Sequence, residues 1–221
     1  MKQKIDWKNH FIGLLVVVIG ITIAFMLENW RQERASSELE QKYLTSFKDD
    51  LQYDSNKLDS TITAVQDKIY LLRGVIAEMS SGDINQARAE EVITDMLRNH
   101  SFVPKQATYE SVKNSGGMNI ISDYEVKEAI VSYYSLNDEL RLKEQVFFDY
   151  LQNFVLPYVY KNVEFLSGRI VNKSGINSFE FKNIVAGYYG LTEQNFQAYK
   201  DYKKTNEELL KKLLKCLMSR F

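Results

Sequence analysis

Cysteine, histidine and proline are all scarce in this chain of 221 residues, which has one Cys, two His and two Pro. A single Cys cannot form an internal disulfide or a thiolate metal cage, so disulfide scaffolds and zinc fingers are excluded. Two distant His residues offer little for acid–base or metal chemistry. An excess of one charge is also missing. Phosphate binding needs a concentrated basic face, and a net charge of −1 gives no electrostatic reason to expect one. We therefore expect no nucleic-acid partner.

Catalytic sequence patterns are absent as well. The chain contains no H-E-x-x-H, no G-x-S-x-G, no Walker loop and no G-x-G-x-x-G. We expect structural or surface positions for His10 and His100, and an inert thiol on an apolar helix face for Cys216. The chain is therefore expected not to be an enzyme, with no catalytic residue, no metal site and no cofactor.

Two short polar clusters have simple structural interpretations. Ser115-Gly116-Gly117 could form an anion-binding nest, but no base accompanies it, and a helix stop at glycine is the simpler account. The carboxylates of Asp49, Asp50 and Asp54 are interpreted as a solvated helix face, because no second cluster of ligating residues accompanies them.

The chain does contain a long apolar run near its N-terminus: residues 11–27, FIGLLVVVIGITIAFML, carry no charge. At about 1.5 Å per residue this run is roughly 26 Å long, slightly shorter than a hydrocarbon core of about 30 Å. Interfacial aromatic rings and outward-reaching cations extend it on both sides. These anchors are Trp7, Trp30, Arg31 and Arg34. The pattern predicts a short tail over residues 1–10 and a transmembrane helix over residues 11–27, so the lipid bilayer is an expected partner.

A cleaved signal peptide is the rival interpretation of this run, since it too begins with basic residues and an apolar stretch. The run is followed at once by ENWRQER, residues 28–34, which is no cleavage region. Lysines before the span and basic residues after it are equal in number within about 15 residues, so the positive-inside rule gives only a weak preference. We expect the N-terminus in the cytoplasm and the large domain outside it.

One face of the apolar run carries small residues. Gly13 and Gly20 lie two helical turns apart, and Gly20 with Ala24 forms a small-xxx-small pair. Such a face allows another span to approach closely, which predicts self-association or docking on another membrane protein. The alternative is that Gly and Ala are simply common in membrane helices.

Beyond the span, neither Gly nor Pro interrupts residues 21–73. Apolar residues then recur in alternating steps of four and three, the spacing of one helix face. They are Leu58, Ile62, Val65, Ile69, Leu72, Ile76 and Met79. We expect one long helix that leaves the membrane, bends near residues 53–56 and ends at residues 80–83. Shorter helices are expected around residues 87–98 and 108–112.

A second long helix is predicted to begin at a capping box formed by Ser122 and Glu125. Its apolar seam is interrupted by two polar residues, Asn137 and Glu144. Pro157 kinks or ends this helix, because its ring nitrogen cannot donate the helical hydrogen bond.

Residues 167–178 are rich in Gly, Asn and Ser and are expected to form a loop before a final helical region. The cationic end of that region, residues 209–221, continues an apolar seam and is interpreted as a bundle helix rather than a segment lying on lipid. Together the elements predict an all-α fold. A single N-terminal transmembrane helix continues into an elongated antiparallel helical bundle, with the bundle domain over residues 28–221.

Aromatic residues crowd the second half of the chain. Adjacent aromatic pairs on a helix cannot both face one core, and Tyr is favoured at protein interfaces, so some of these residues are expected at a partner surface. We assign four residues to this surface: Tyr134, Phe148, Tyr188 and Tyr189. The alternative, which the sequence leaves open, is thick bundle packing with the hydroxyls reaching water.

The N-terminal residues Trp7-Lys8-Asn9-His10, the run LLVVVIGITIAF and the flank ENWRQER over residues 28–34 resemble domain-of-unknown-function family 6090. That family comprises single-span membrane proteins of Gram-negative bacteria. The middle of the chain is similar in style, in ATYE over residues 107–110, KNSG over residues 113–116 and VSYY over residues 131–134. The resemblance covers roughly residues 7–60 and 105–135. It implies a single-pass protein of the inner membrane, with a periplasmic helical domain in the orientation expected above, and it implies no activity or cofactor.

These observations lead to two functional hypotheses. The first is a membrane-anchored helical scaffold or protein-interaction subunit, whose bundle binds another membrane protein or a second copy of itself. The second is an extracytoplasmic bundle that senses a small ligand and relays the signal through a partner protein. An apolar cavity beside Tyr133 and Phe147 would favour the second hypothesis, and a solid core there would not.

Overall fold

The computed structural model describes residues 7–219, with side chains described for residues 11–219. Within this part the chain forms six α-helices: α1 (Trp7–Ser81), α2 (Gln86–Met96), α3 (Ala107–Asn114), α4 (Tyr124–Tyr150), α5 (Leu156–Asn162) and α6 (Phe179–Met218). Between them lie 3₁₀ turns at Gly117–Asn119 and Lys173–Gly175, a π-helix at Leu151–Val155, and two short strands, β1 (Val163–Glu164) and β2 (Arg169–Ile170). The expected all-α fold is confirmed.

The bundle is built on α1, α4 and α6. Two polar contacts show that α6 runs antiparallel to α1: Arg73 Nη2 lies 2.6 Å from Glu193 Oε1, and Asn206 Nδ2 donates to the Leu51 carbonyl at 3.1 Å. As residue numbers rise along α6, those of their partners on α1 therefore fall. Helix α4 packs against α6, and the shorter α2 and α3 lie against α1.

Two apolar clusters form the core, and α1 contributes to both. The cluster nearer the apolar N-terminal run is here called the basal half. It includes Leu44, Phe47, Leu51, Leu58, Val65, Tyr133, Tyr199 and Leu213. The distal half includes Leu72, Val75, Met79, Val92, Phe147, Val159, Phe181 and Val185. The predicted seam of α1 is thus the face that packs into the bundle, although Ile62 and Ile76 lie at its edge.

Helix α1 continues without interruption through residues 53–56, where the sequence predicted a bend. Tyr53 and Asn56 face outward, and Asp54 is buried with partners of its own. This polar stretch therefore needs no break in the helix. The predicted end of α1 at residues 80–83 is confirmed, since the helix ends at Ser81.

The start of α4 is one residue later than the predicted capping box. Asp123 is the N-cap, and its side chain accepts a hydrogen bond from Val126 N at 3.1 Å. Ser122 instead donates from its backbone N and its Oγ to Glu40 of α1, at 2.7 and 3.0 Å. The capping assignment to Ser122 and Glu125 is therefore wrong, because Ser122 joins two helices rather than capping one.

Pro157 changes the type of helix before it instead of ending the helical run. The ring cannot donate to the carbonyl four residues earlier, and the turn before it widens into a π-helix. There Leu156 N donates to the Leu151 carbonyl, five residues back. Beyond α5, the predicted loop begins within a two-residue strand pairing, in which Val163 faces Ile170. Gly168 closes that turn at a φ of 67°.

Candidate functional site

The apolar N-terminal run has nothing packed against it in the described part of the chain. Its most apolar window has a mean hydropathy of 2.6, and none of that window is buried. A Cβ atom added to Gly13 or Gly20 would have no heavy atom of another residue within 4 Å, and Ala24 is exposed. By length and composition this stretch could cross a membrane. The close approach of a second span at these small residues stays a prediction.

The predicted anchors lie at the end of this run. Arg31 pairs with Glu28 at 2.8 Å, and the Arg34 guanidinium lies 5.7 Å from the centroid of the exposed Trp30 ring. The side chain of Trp7 lies outside the described residues, as does that of His10. Residues 28–39 then form about 12 residues of exposed helix, roughly 18 Å long, before Glu40 makes the first buried contact. This stalk separates the apolar run from the bundle.

Two of the four residues assigned to a partner surface are buried, so that assignment is wrong for Tyr134 and Tyr188. The Tyr134 ring stacks on Tyr109 of α3 with centroids 4.3 Å apart. The Tyr188 hydroxyl donates to the Met96 carbonyl at 3.1 Å. Both rings are buried because α4 and α6 are covered on two sides, not one. The alternative of thick bundle packing therefore applies to these two residues.

The other two assigned residues reach the surface to different degrees. Phe148 on α4 is exposed. Tyr189 on α6 is half-buried: its hydroxyl donates to Glu193 at 2.7 Å and accepts from Arg73 Nε at 3.1 Å. Tyr189 is thus held in a polar contact with α1. Of the four residues, Phe148 alone is exposed to solvent.

A buried lysine holds the end of α2. Lys68 of α1 donates from Nζ to the carbonyls of Asp95 and Arg98, at 2.5 and 2.7 Å. It also donates to the Tyr188 hydroxyl at 2.8 Å and lies 3.4 Å from Asp95 Oδ2. Burial lowers the pKa of Lys68, and the neighbouring Asp95 carboxylate opposes that shift. The lysine thus adds a second donor to the Asp95 carbonyl, which also accepts from Arg98 N, and donates to the Arg98 carbonyl just beyond the helix end.

A buried carboxylate holds the same stretch of chain further along. Asp54 accepts from Lys105 N at 3.0 Å and from the Tyr133 hydroxyl at 2.8 Å. Burial raises the pKa of Asp54, and these hydrogen bonds oppose the shift. Asn206 completes the network by donating to the Tyr133 oxygen at 3.1 Å. The interpretation of Asp54 as part of a solvated face is therefore wrong, because the segment before α3 and Tyr133 of α4 cover it.

The contacts of Lys68 and Asp54 hold residues 97–106, here called the connecting segment, against the bundle. Glu144 of α4 accepts from Phe102 N at 3.1 Å and from the Tyr199 hydroxyl at 2.6 Å. An irregular segment can be packed on a core only when its backbone groups find partners. Lys68, Asp54 and Glu144 provide several of those partners.

The pocket lined by His100, Lys68 and Phe147 is small. Its volume is about 10 Å³, enough for roughly one water molecule and too small for an organic ligand. Burial and the nearby Lys68 lower the pKa of His100. Among the described residues, no three His, Cys, Asp or Glu side chains are placed to hold a metal ion.

The exposed apolar residues outside the N-terminal run concentrate on α4, α5 and the chain beside them. On α4, Leu142 is 69% exposed and Val146 is 55% exposed. Phe148, on another side of α4, and Phe154 are exposed too, as is the pair Tyr160 and Phe165, whose ring centroids are 5.1 Å apart. We call these six residues the α4–α5 surface. Large exposed apolar side chains in one region are typical of a binding surface.

A groove lies beside this surface, between the connecting segment and α4. The wall on the connecting segment is lined by Asn99, Ser101, Val103 and Gln106, and the wall on α4 by Arg141, Glu144, Gln145 and Phe148. Asn137 also contributes to the groove and is buried, and its Oδ1 has no hydrogen-bond partner among the described residues. The sequence carried a clue to this site, since Asn137 and Glu144 are the two polar interruptions of the α4 seam. The exposure of Val103 and Leu142 was not predicted, because nothing in their spacing distinguishes an outward apolar residue from a core one.

Comparisons of the chain with protein-family models, with curated proteins and with solved structures find no match. The geometry of the chain itself therefore carries the functional argument.

Proposed function

We propose that this chain is a single-pass, membrane-anchored helical interaction subunit with no catalytic activity of its own. Residues 11–27 cross the bilayer, residues 28–39 form a stalk, and the bundle binds another membrane protein through the α4–α5 surface. The observation that carries the proposal is the uncovered apolar run, which is continuous with the core helix of the bundle.

The physical argument for the anchor is that the bundle offers this run no apolar partner. An isolated helix that is apolar on all sides is stable in lipid, where its backbone hydrogen bonds are satisfied internally. The resemblance to family 6090 supports a bacterial inner membrane, with the N-terminus cytoplasmic and the bundle periplasmic.

The argument for a binding role comes from where polar groups are used. The buried side chains of Lys68 and Asp54, and Oε1 of the half-buried Glu144, hold the connecting segment and the residues that flank it. Several of the large apolar side chains that the bundle leaves exposed lie on α4, on α5 and in the chain beside them. Such a surface gains free energy when a partner covers it, at about 25 cal/mol per Å² of apolar area.

Photo-crosslinking in native membranes tests the proposal. A photoreactive amino acid at Leu142 or Val146 should give a crosslinked species of higher mass. The same amino acid at Tyr70, a comparably exposed position on α1, should not. A chain that stays monomeric from all three positions would contradict the binding role.

The membrane arrangement is tested separately. Alkaline carbonate should leave the chain in the membrane pellet. An engineered cysteine at position 90, in a Cys216→Ser background, should react with an impermeant maleimide from the periplasmic side only. Release by carbonate would contradict the anchor, and labelling from the cytoplasmic side would reverse the proposed orientation.

A further inference from the structure

We propose that two copies of this chain associate side by side in the membrane, with α4 of each copy packed against α6 of the other. The contact is formed by the groove between α4 and α6 in the basal half of the bundle, here called the α4–α6 groove, together with the side of α6 next to it. The inference goes beyond the proposed function and rests on one part of it, the membrane anchor.

The α4–α6 groove has a floor of short or apolar side chains, and its lining comes from α4 and α6 alone. From Glu125 to Lys143 it extends for about 27 Å along α4. Both helices satisfy their backbone hydrogen bonds internally, so the groove suits another pair of helices rather than an extended strand. The floor is formed by Ala129, Ser132, Leu136, Ala198, Thr205 and Leu209.

The groove carries an excess of negative charge. Five carboxylates and two lysines lie along it, and within the described part of the chain none of the seven forms an ion pair. They are Glu125, Glu128, Glu139, Asp201 and Glu208, with Lys143 and Lys212. An acidic groove without compensating cations attracts a basic surface.

The side of α6 next to this groove carries the opposite charge. Four exposed lysines recur there in steps of four, seven and four residues, which places them on one side of the helix. They are Lys200, Lys204, Lys211 and Lys215. None of these four forms an ion pair with a described residue, and the carboxylate of Glu207 beside them already pairs with Lys203 at 3.8 Å. These lysines do not line the groove of their own copy, so they are available to the groove of a second one.

The symmetry of a membrane-anchored pair brings the two surfaces together. Within one copy α4 and α6 run antiparallel, since Tyr202 Oη donates to the Tyr133 carbonyl at 3.1 Å and Tyr150 Oη donates to the Ile184 carbonyl at 3.2 Å. Two copies in one membrane stand parallel, so their two-fold axis lies along the bundle. That axis, placed in the groove, sets α6 of each copy beside α4 of the other and completes an antiparallel four-helix arrangement.

Opposite charges meet at the same height in this arrangement. Residues 205–212 lie opposite residues 125–132 across the groove, and rotation about an axis along the bundle changes no height. Lys211 of one copy therefore lies level with Glu125 and Glu128 of the other. Anchoring in a common membrane raises the effective concentration of the copies, so a contact of moderate size is sufficient.

Cysteine crosslinking of the full chain in native membranes tests the inference. Ser132 lines the groove, and beside the two-fold axis it faces its own counterpart. In a Cys216→Ser background, Ser132→Cys should give a covalent dimer with a short bismaleimide. Ser60→Cys is the matched control, because it makes the same exchange at an exposed position on α1, and it should stay monomeric.

Charge reversal in the Ser132→Cys chain identifies the contact. Glu125→Lys with Glu128→Lys should lower the dimer fraction at least about fivefold, and Lys211→Glu with Lys215→Glu should do the same. The four substitutions together should restore most of the dimer, which also shows that the charged variants fold.

The inference is overturned if Ser132→Cys gives no dimer, if the control gives as much, or if charge reversal leaves the dimer unchanged or unrestored. An adduct between position 132 and a different protein would assign the groove to that protein and would also overturn self-association. None of these results decides the binding role, which crosslinking from Leu142 tests. Release by carbonate would remove the anchor on which both proposals rest.

Discussion

Replacing Gly187 with alanine tests how closely α4 and α6 approach each other in the distal half of the bundle. The Tyr150 ring at the end of α4 lies over Gly187, and its hydroxyl is 3.2 Å from the Ile184 carbonyl. A Cβ at position 187 would lie 2.7 Å from Tyr150 Cζ, well inside van der Waals contact. Gly190, one turn further along the same helix, has no heavy atom within 4 Å of the corresponding position apart from its chain neighbours and the backbone of its own helix. The two glycines therefore form a matched pair.

The magnitudes follow from two opposing effects. Alanine stabilises a helix by about 1 kcal/mol relative to glycine, and at Gly190 nothing opposes that gain. At Gly187 the displaced tyrosine adds about 1–3 kcal/mol of overpacking, together with about 1 kcal/mol for its hydrogen bond. We expect Gly190→Ala to raise the free energy of unfolding by up to about 1 kcal/mol, and Gly187→Ala to lower it by about 1–3 kcal/mol. For a chain of this size the midpoints should differ by at least about 4 °C.

Thermal unfolding of the full chain in detergent, followed by far-ultraviolet circular dichroism, measures the difference. The two variants should be compared again in a Tyr150→Ala background, where the cost specific to Gly187 should largely vanish. Equal stability of the Gly187 and Gly190 variants would refute the close approach. So would a cost at Gly187 that persists without the tyrosine ring.

Three further predictions concern the buried polar groups and the anchor. Lys68→Met should lower the free energy of unfolding by about 2–4 kcal/mol, because it removes a buried ammonium that donates to the Asp95 and Arg98 carbonyls and to the Tyr188 hydroxyl. In denaturant titrations the exposed control Lys57→Met should be unchanged, and equal stability of the two variants would contradict this role of Lys68. Burial raises the pKa of Asp54 above its ordinary value of 3.8, so the charged carboxylate destabilises the folded state. Acidification from neutral pH towards 3.8 should therefore stabilise the chain relative to Asp54→Asn. If the unmodified chain instead lost stability relative to Asp54→Asn over that pH range, this reasoning would be contradicted. Removal of residues 1–38 should give a soluble bundle with its helical circular dichroism intact, and aggregation or loss of helicity would show that the stalk contributes to the core.

The helical framework could be predicted from sequence because its information is local. The alternating steps of α1 report one buried face, and the structure buries most of that seam. The burial of Tyr134 could not be predicted in the same way. Tyr133 faces Asp54 and Tyr202, while Tyr134 next to it stacks on Tyr109. Both neighbours are buried because α3 fills the second side of α4, and nothing in the α4 sequence indicates that helix.

The buried charges escaped prediction for a related reason. Asp54 and Lys68 bind main-chain atoms of the connecting segment, namely Lys105 N and the Arg98 carbonyl. Backbone groups are common to every residue, so the partner segment leaves no side-chain pattern that would identify it. A charged residue on the buried face of α1 was the available clue, and it becomes informative only once a core has been assigned to that face.

Helix α1 connects the groove beside α4 to the proposed membrane anchor. One wall of the groove belongs to the connecting segment, which Asp54 and Lys68 fasten to α1, and the other wall is α4. Because α1 is one helix from the apolar run to Ser81, rotation of the span about its axis turns the residues that hold the first wall. Such a rotation must either carry the whole bundle with it or shift the connecting segment against α4. A partner that contacted both walls would resist that shift, so under the proposed function its binding and a rotation of the span would be coupled through α1.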